Sequence, residues 1–129
     1  MNREELKEYI TAAYDTDEEF LWMRYPGYSV FRHRNNRKWF ALIMDVPKEK
    51  LGVSGAGMLD VLNVKCDPVM IGSFRMKPGF YPAYHMSKTS WITIALDGSV
   101  DDEKIKMLLE ISYDLTSAKP AKRPPKAQD

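Results

Sequence analysis

Few residues of this chain stand at spacings that prescribe chemistry. The two histidines, His33 and His85, fall in different segments, and neither belongs to a pattern that builds a catalytic triad. Cys66 is the single cysteine. It could act as a nucleophile beside His85, but a lone cysteine is more often inert packing. Cys66, Asp67 and His85 are metal-ligating types without the CxxC, HxH or HExxH spacing that a metal site rests on. Gly52, Gly55 and Gly57 do not form a dinucleotide-binding GxGxxG, and no P-loop is present. The residues therefore predict no enzyme, no metal and no cofactor.

The cations are more suggestive. Arg32, Arg34, Arg37 and Lys38 crowd one hairpin, Arg24 precedes it, and no acidic residue falls between Phe20 and Met44. Strand alternation puts Arg32 and Arg34 on one face. Such a group could straddle a nucleic-acid backbone and reach phosphates. It could equally be a solvated hairpin whose charge blocks edge pairing. Charge is also distributed unevenly: residues 1–19 carry net −5, 20–96 net +7, 97–118 net −4 and 119–129 net +3. If both acidic ends fold onto one side, the molecule is polarised. Phe20, Trp22, Tyr25, Trp39, Phe40 and Trp91 read first as core.

The elements that must position these residues follow from periodicity. Asn2 and Glu5 have capping-box spacing, and Leu6, Tyr9, Ile10, Ala13 and Tyr14 form one helical stripe. A second helix over 101–116 aligns Ile105, Leu108, Leu109, Ser112 and Leu115, with Ser99 and Asp102 as its start signal. Between them the period falls to 2. Phe20–Arg24, Tyr28–Arg34, Lys38–Val46, Val61–Lys65 and Trp91–Leu96 read as strands, with Asn35 and Asn36 supplying the turn. Asp67-Pro68 starts a short helix, Val53–Asp60 is a connector, and 76–86 is a Pro- and aromatic-rich loop. The fold class is α+β: an antiparallel sheet of about five strands, with the N- and C-terminal helices packed on one face.

A chain of 129 residues, 44% of them hydrophobic, suits one domain over 1–118, with 119–129 as a disordered basic, Pro-rich tail. No apolar stretch approaches the ~18–20 residues of a membrane span. Arg3, Glu4 and Glu5 interrupt any signal pattern at the start, and single-cysteine usage suits a reducing cytoplasm. The oligomeric state is not fixed by the residues; a monomer is the default expectation.

A family resemblance is carried by Val64-Lys65-Cys66-Asp67-Pro68, by Pro82-Ala83-Tyr84-His85-Met86-Ser87-Lys88 and by Trp91 with Thr93. Arg37-Lys38-Trp39-Phe40-Ala41, Leu96-Asp97-Gly98 and Ser112-Tyr113 extend it across nearly the whole chain. In these features the chain resembles the YjbR/MmcQ family. The resemblance implies a frataxin (CyaY)-like sandwich, also compared with a double-wing DNA-binding domain. The sequence departs from the usual pattern at Ala83, Ser87, Thr89, Ser90 and Ile92, which removes polar and cationic groups from the most characteristic loop. The expected function is weak binding of double-stranded DNA, mainly through phosphates, by Arg32, Arg34, Arg37, Lys38, Lys65, His85 and Lys88. The alternative is a ligand- or protein-binding module with Tyr81, Tyr84, His85 and Trp91 lining a pocket.

Overall fold

A computed structural model describes residues 1–118; the expected tail over 119–129 lies outside the described residues. Helix α1 (Arg3–Ala13) opens with the expected capping box, Asn2 and Glu5 each bonding the other's backbone N–H. The strands are β1 (Ser29–Arg32), β2 (Trp39–Pro47), β3 (Met58–Lys65), β4 (Phe80–Pro82) and β5 (Trp91–Ala95). Helix α2 (Pro68–Phe74) lies between β3 and β4, and α3 (Asp102–Thr116) closes the described chain. All neighbouring strands are antiparallel, in the order β1-β2-β3-β5-β4. This is the α+β architecture that the switch of period predicts.

Alternation divides the sheet's side chains between two cores. Phe31, Ile43, Leu62, Val64, Ile92 and Ile94 meet Leu6 and Ile10 of α1, Ile71 and Phe74 of α2, and Ile105, Leu108 and Leu109 of α3. Both terminal helices thus cover one face, as expected. Val30, Leu42, Met44, Val46, Leu59, Val61 and Ala95 point the other way, where among the described residues loops and the short 3-10 turn Lys48–Leu51 cover them.

The register between β1 and β2 slips at one point: Phe31 pairs with Ala41 and Arg32 with Trp39, so Phe40 is the extra residue of a bulge. The slip sends Phe40 into the helix-side core and turns Trp39 to the opposite face. Ser112 of α3 secures the irregularity. Its Oγ donates to the Phe40 carbonyl at 2.6 Å and accepts the Lys65 N–H at 2.9 Å.

Several expectations need correction. Phe20–Arg24 is not a strand; a single bridge joins Glu19 to Val30, after which the chain turns and leaves Phe20, Leu21, Met23 and Tyr25 exposed. The fifth strand is β4, inside the segment expected to be a loop, and the connector ends earlier because β3 begins at Met58. Asp101, not Ser99 or Asp102, caps α3 by accepting from Lys104 N–H. Leu115 is exposed and Thr116 takes the inward position. In the hairpin, Arg37 adopts the left-handed conformation (φ 64°), while Asn35 and Asn36 serve as side-chain acceptors for Asn36 and Lys38 N–H. Trp39 and Trp91, expected to be largely buried, are half-buried. Asp67 does cap α2, accepting from Val69 N–H at 2.9 Å with Pro68 behind it.

Candidate functional site

The loop-covered face carries a broad concavity. Trp22, Tyr25, Tyr28, Trp39, Leu42, Met44, His85 and Met86 enclose a hollow of about 460 Å³. Its floor is β2, where alternation from Leu42 to Met44 and the bulge at Phe40 bring three side chains to one face. Its walls are aromatic and mutually braced. Trp22 stands edge-on to Trp39 (centroids 5.6 Å, 89°) and to Tyr28 (5.7 Å, 76°), while Tyr25 stacks on Tyr28 at 4.8 Å. Edge-to-face contacts of this kind favour ring packing beyond the area they bury, so the wall is preformed.

The rim is positioned by a buried polar relay. Asn63 of β3 and Thr93 of β5 are register partners, both fully buried. Thr93 Oγ1 donates to Asn63 Oδ1 at 2.5 Å and accepts Tyr84 N–H at 2.9 Å; Asn63 Nδ2 donates to the Tyr84 carbonyl at 2.9 Å. Both backbone groups of Tyr84 are therefore anchored to the sheet. Lys88 Nζ ties the same loop by donating to the Ala83 carbonyl at 3.0 Å. The chain reverses at His85, which takes a left-handed conformation (φ 62°). This conformation costs a non-glycine residue ~1–2 kcal/mol. The exposed imidazole sits 4.0 Å, centroid to centroid, from the Tyr84 ring.

A second recess of about 350 Å³ adjoins the hollow, sharing Tyr25, Tyr28 and His85 and adding Arg24, Gly27, Asp45 and Tyr84. Burial first, then the neighbouring Tyr84, Tyr25 and Asp45 groups, pushes the Tyr28 phenol above its ordinary range.

The predicted site residues are distributed unevenly over this geometry. Of the four proposed pocket residues, His85 lines both recesses and Tyr84 lines the second. Tyr81 packs on the same face, and alternation along β5 sets Trp91 on the side of Thr93 and Ala95, but neither lines a recess. Arg32 forms a two-point pair with Glu19 (2.6 and 2.9 Å). Arg34 reaches Asp15 at 2.8 Å and Asp17 at 2.9 Å, and Arg37 stands 3.8 Å from Glu19. The expected separation of a positive face from a negative one fails here, because the acidic segment after α1 runs beside β1. Arg32 holds the Glu19 carboxyl below the usual carboxylate range. Lys38 is exposed beside the hairpin, and Lys65 sits at the far end of β3, paired in register with Trp91.

Cys66 belongs to the helix-side core, where burial raises its thiol pKa, whereas His85 is on the other face; the two do not meet. His33 is buried beside α3, its Nε2 2.8 Å from Thr116 Oγ1 and its ring 4.3 Å from that of Tyr113. Sequence reasoning missed Asn63, Met44, Met86 and Tyr28 as site residues. For Asn63 the available signal was a polar amide at an apolar position of a strand.

A model of the YjbR family matches residues 12–115. The chain belongs to the YjbR family. Another YjbR-like chain, the uncharacterised protein YyaQ of Bacillus subtilis, is 39% identical over 116 residues, covering 90% of this chain and 98% of that one. A crystal structure of a Pseudomonas syringae protein is 46% identical with a TM-score of 0.89, covering 91% of this YjbR chain and 100% of the other. A solution structure from the same organism gives 45% identity and a TM-score of 0.83 over 92% and 95% of the two chains. A Deinococcus radiodurans crystal structure, 23% identical over 98% and 86% of the two chains with a TM-score of 0.70, shares the fold. No helix among the described residues of this YjbR protein is long and apolar enough to cross a membrane.

Proposed function

We propose that the protein is a binding module for a small ligand with a flat, apolar ring, held in the hollow between Trp22, Trp39 and His85. The observation that carries the reading is the preformed aromatic wall over an apolar floor, with polar groups confined to one rim. That composition favours insertion of a ring and leaves few groups to desolvate. A binding role suits this chain better than catalysis, because its cysteine and its two histidines are dispersed over opposite faces of the sheet. The test is a titration of the full chain with 3-methylindole, followed through the three tryptophan indole N–H signals in a nitrogen-labelled sample. Trp22 and Trp39 should shift, Trp91 should stay, and Trp39→Ala should lose the response. Unmoved Trp22 and Trp39 signals at millimolar probe overturn the reading.

Weak duplex-DNA binding is the second reading, favoured by the exposed Lys38 and Arg24 and by the family's customary comparison with a double-wing domain. The carboxylates on Arg32, Arg34 and Arg37 count against it, since phosphates would have to displace them. If three to five phosphate contacts formed, log K should fall against log salt with a slope of roughly −3 to −5. Arg32→Glu with Arg34→Glu should then abolish binding. A wild-type chain that binds no duplex at low salt removes this reading.

A further inference from the structure

The recess beside the hollow is chemically unlike it, and the difference restricts what a bound ring can carry. Asp45 sits in β2 next to the hollow's floor, yet its half-buried carboxylate opens into the polar recess. Gly27 makes this possible. A Cβ there would collide with Asp45 Oδ1, so the bare backbone of the Tyr25-Pro26-Gly27 turn provides the seat for the carboxylate. Asp45 has no ion-pair partner among the described residues. Arg3, close by at the Gly27 carbonyl to which it donates, pairs instead with Asp60, the register partner of Asp45, at 3.0 Å. Tyr25, Tyr28 and Tyr84 line the same recess as Asp45. The lining's one guanidinium, Arg24, stands exposed at the mouth, while half-buried Asp45, among three phenols, is the recess's one carboxylate. The aromatic faces of the adjoining hollow add to its attraction for a cation.

We propose that the cleft takes an aromatic ring bearing a protonated amine, with the ring against Trp22 and Trp39 and the ammonium beside Asp45 and the tyrosine hydroxyls. This rests on the ring-binding reading above and specifies its ligand class. The charge complementarity is that of one buried-side carboxylate for one ammonium, whose three donors the phenol oxygens and Asp45 can accept. Two sources share this chemistry, free aromatic amines and aromatic α-amino acids. They differ in a carboxylate that exposed Arg24, at the mouth of the same recess, would meet.

The experiment compares three probes on the full chain by the same indole N–H signals: 3-methylindole, tryptamine and tryptophan. Tryptamine should bind at least tenfold more tightly than 3-methylindole, and Asp45→Asn, which keeps the shape at Gly27, should reduce that ratio to near one. Tryptophan binding more tightly than tryptamine assigns the amino acids, with the gain lost in Arg24→Gln; the reverse order assigns the free amines. Equal binding of tryptamine and 3-methylindole overturns the ammonium inference while leaving the ring-binding reading intact. If neither probe moves Trp22 or Trp39, both fall. A preference for tryptamine that survives Asp45→Asn also overturns the inference, because the amine is then recognised elsewhere.

Discussion

The two faces of the sheet are built from the same five strands and do opposite things. The helix-covered face is filled: Phe31, Phe40, Ile43, Leu62, Ile92 and Ile94 are fully buried against three helices, and Ser112 and His33, which enter it, find hydrogen-bond partners there, whereas the buried Tyr14 hydroxyl has none among the described residues. The loop-covered face has an apolar floor of similar character, but its cover includes a turn at Tyr25–Gly27 and the loop between β4 and β5 that carries His85 and Met86. Loops present side chains edge-on and at irregular spacing, so they wall a floor without filling it. The contrast teaches where this fold keeps stability and where it keeps accessible surface. A face covered by regular helices becomes core, and a face covered by irregular backbone retains a cavity.

The contrast can be broken most directly at the bulge, where two adjacent aromatics face opposite ways. Phe40→Ala should cost ~3–5 kcal/mol in a denaturant titration, and Trp39→Ala about half of that because its ring is half-exposed. Trp39→Ala alone should also remove 3-methylindole binding. Equal costs would mean that the two faces share one core. Thr93→Val should come next. It strands Asn63 Oδ1 and Tyr84 N–H, for ~1–3 kcal/mol, and should accelerate amide exchange at Tyr84 and its neighbours while leaving α3 protected. Exchange that rises uniformly would show that the rim is not a separate unit.

A smaller effect of the opposite sign belongs to His85. His85→Gly relieves the left-handed backbone and should stabilise the protein by up to ~1 kcal/mol, yet weaken probe binding by removing a wall. Loss of stability would show that the imidazole packs more than it strains. The least effect concerns His33 on the helix side, whose burial holds its pKa below the ordinary value of 6.5. A neutral folded His33 contributes stability that is fully present above 6.5 and is lost as pH falls through the folded pKa. His33→Gln should flatten the stability profile in that window, whereas ligand binding on the other face should not change. A profile that keeps its slope would assign it to the carboxylates instead.

Much of the helix-covered face was legible in the residues. The stripe from Leu6 to Ile10, the capping box at Asn2 and the cap at Asp67 are local signals, and local geometry read them correctly. The switch of period placed both terminal helices on one face, because a helix stripe and an alternating strand each have one apolar side to bury. The site was legible only at Tyr84 and His85. Trp39 reaches the hollow through a one-residue slip between β1 and β2, and periodicity carries no mark of a bulge. Arg32 and Arg34 read as free cations because Glu19, Asp15 and Asp17 are more than ten residues away along the chain. Their pairing exists only once that acidic segment lies against β1. Phe20–Arg24 has strand-like residues, but the chain turns away from the open edge of β1 after one bridge at Glu19, so the segment became a wall. The sequence by itself determined the elements, their caps and the apolar face of each. Tertiary structure alone decided which charges are neutralised and which aromatics converge on a cavity, because both depend on contacts between segments whose separation in the chain carries no periodic signal.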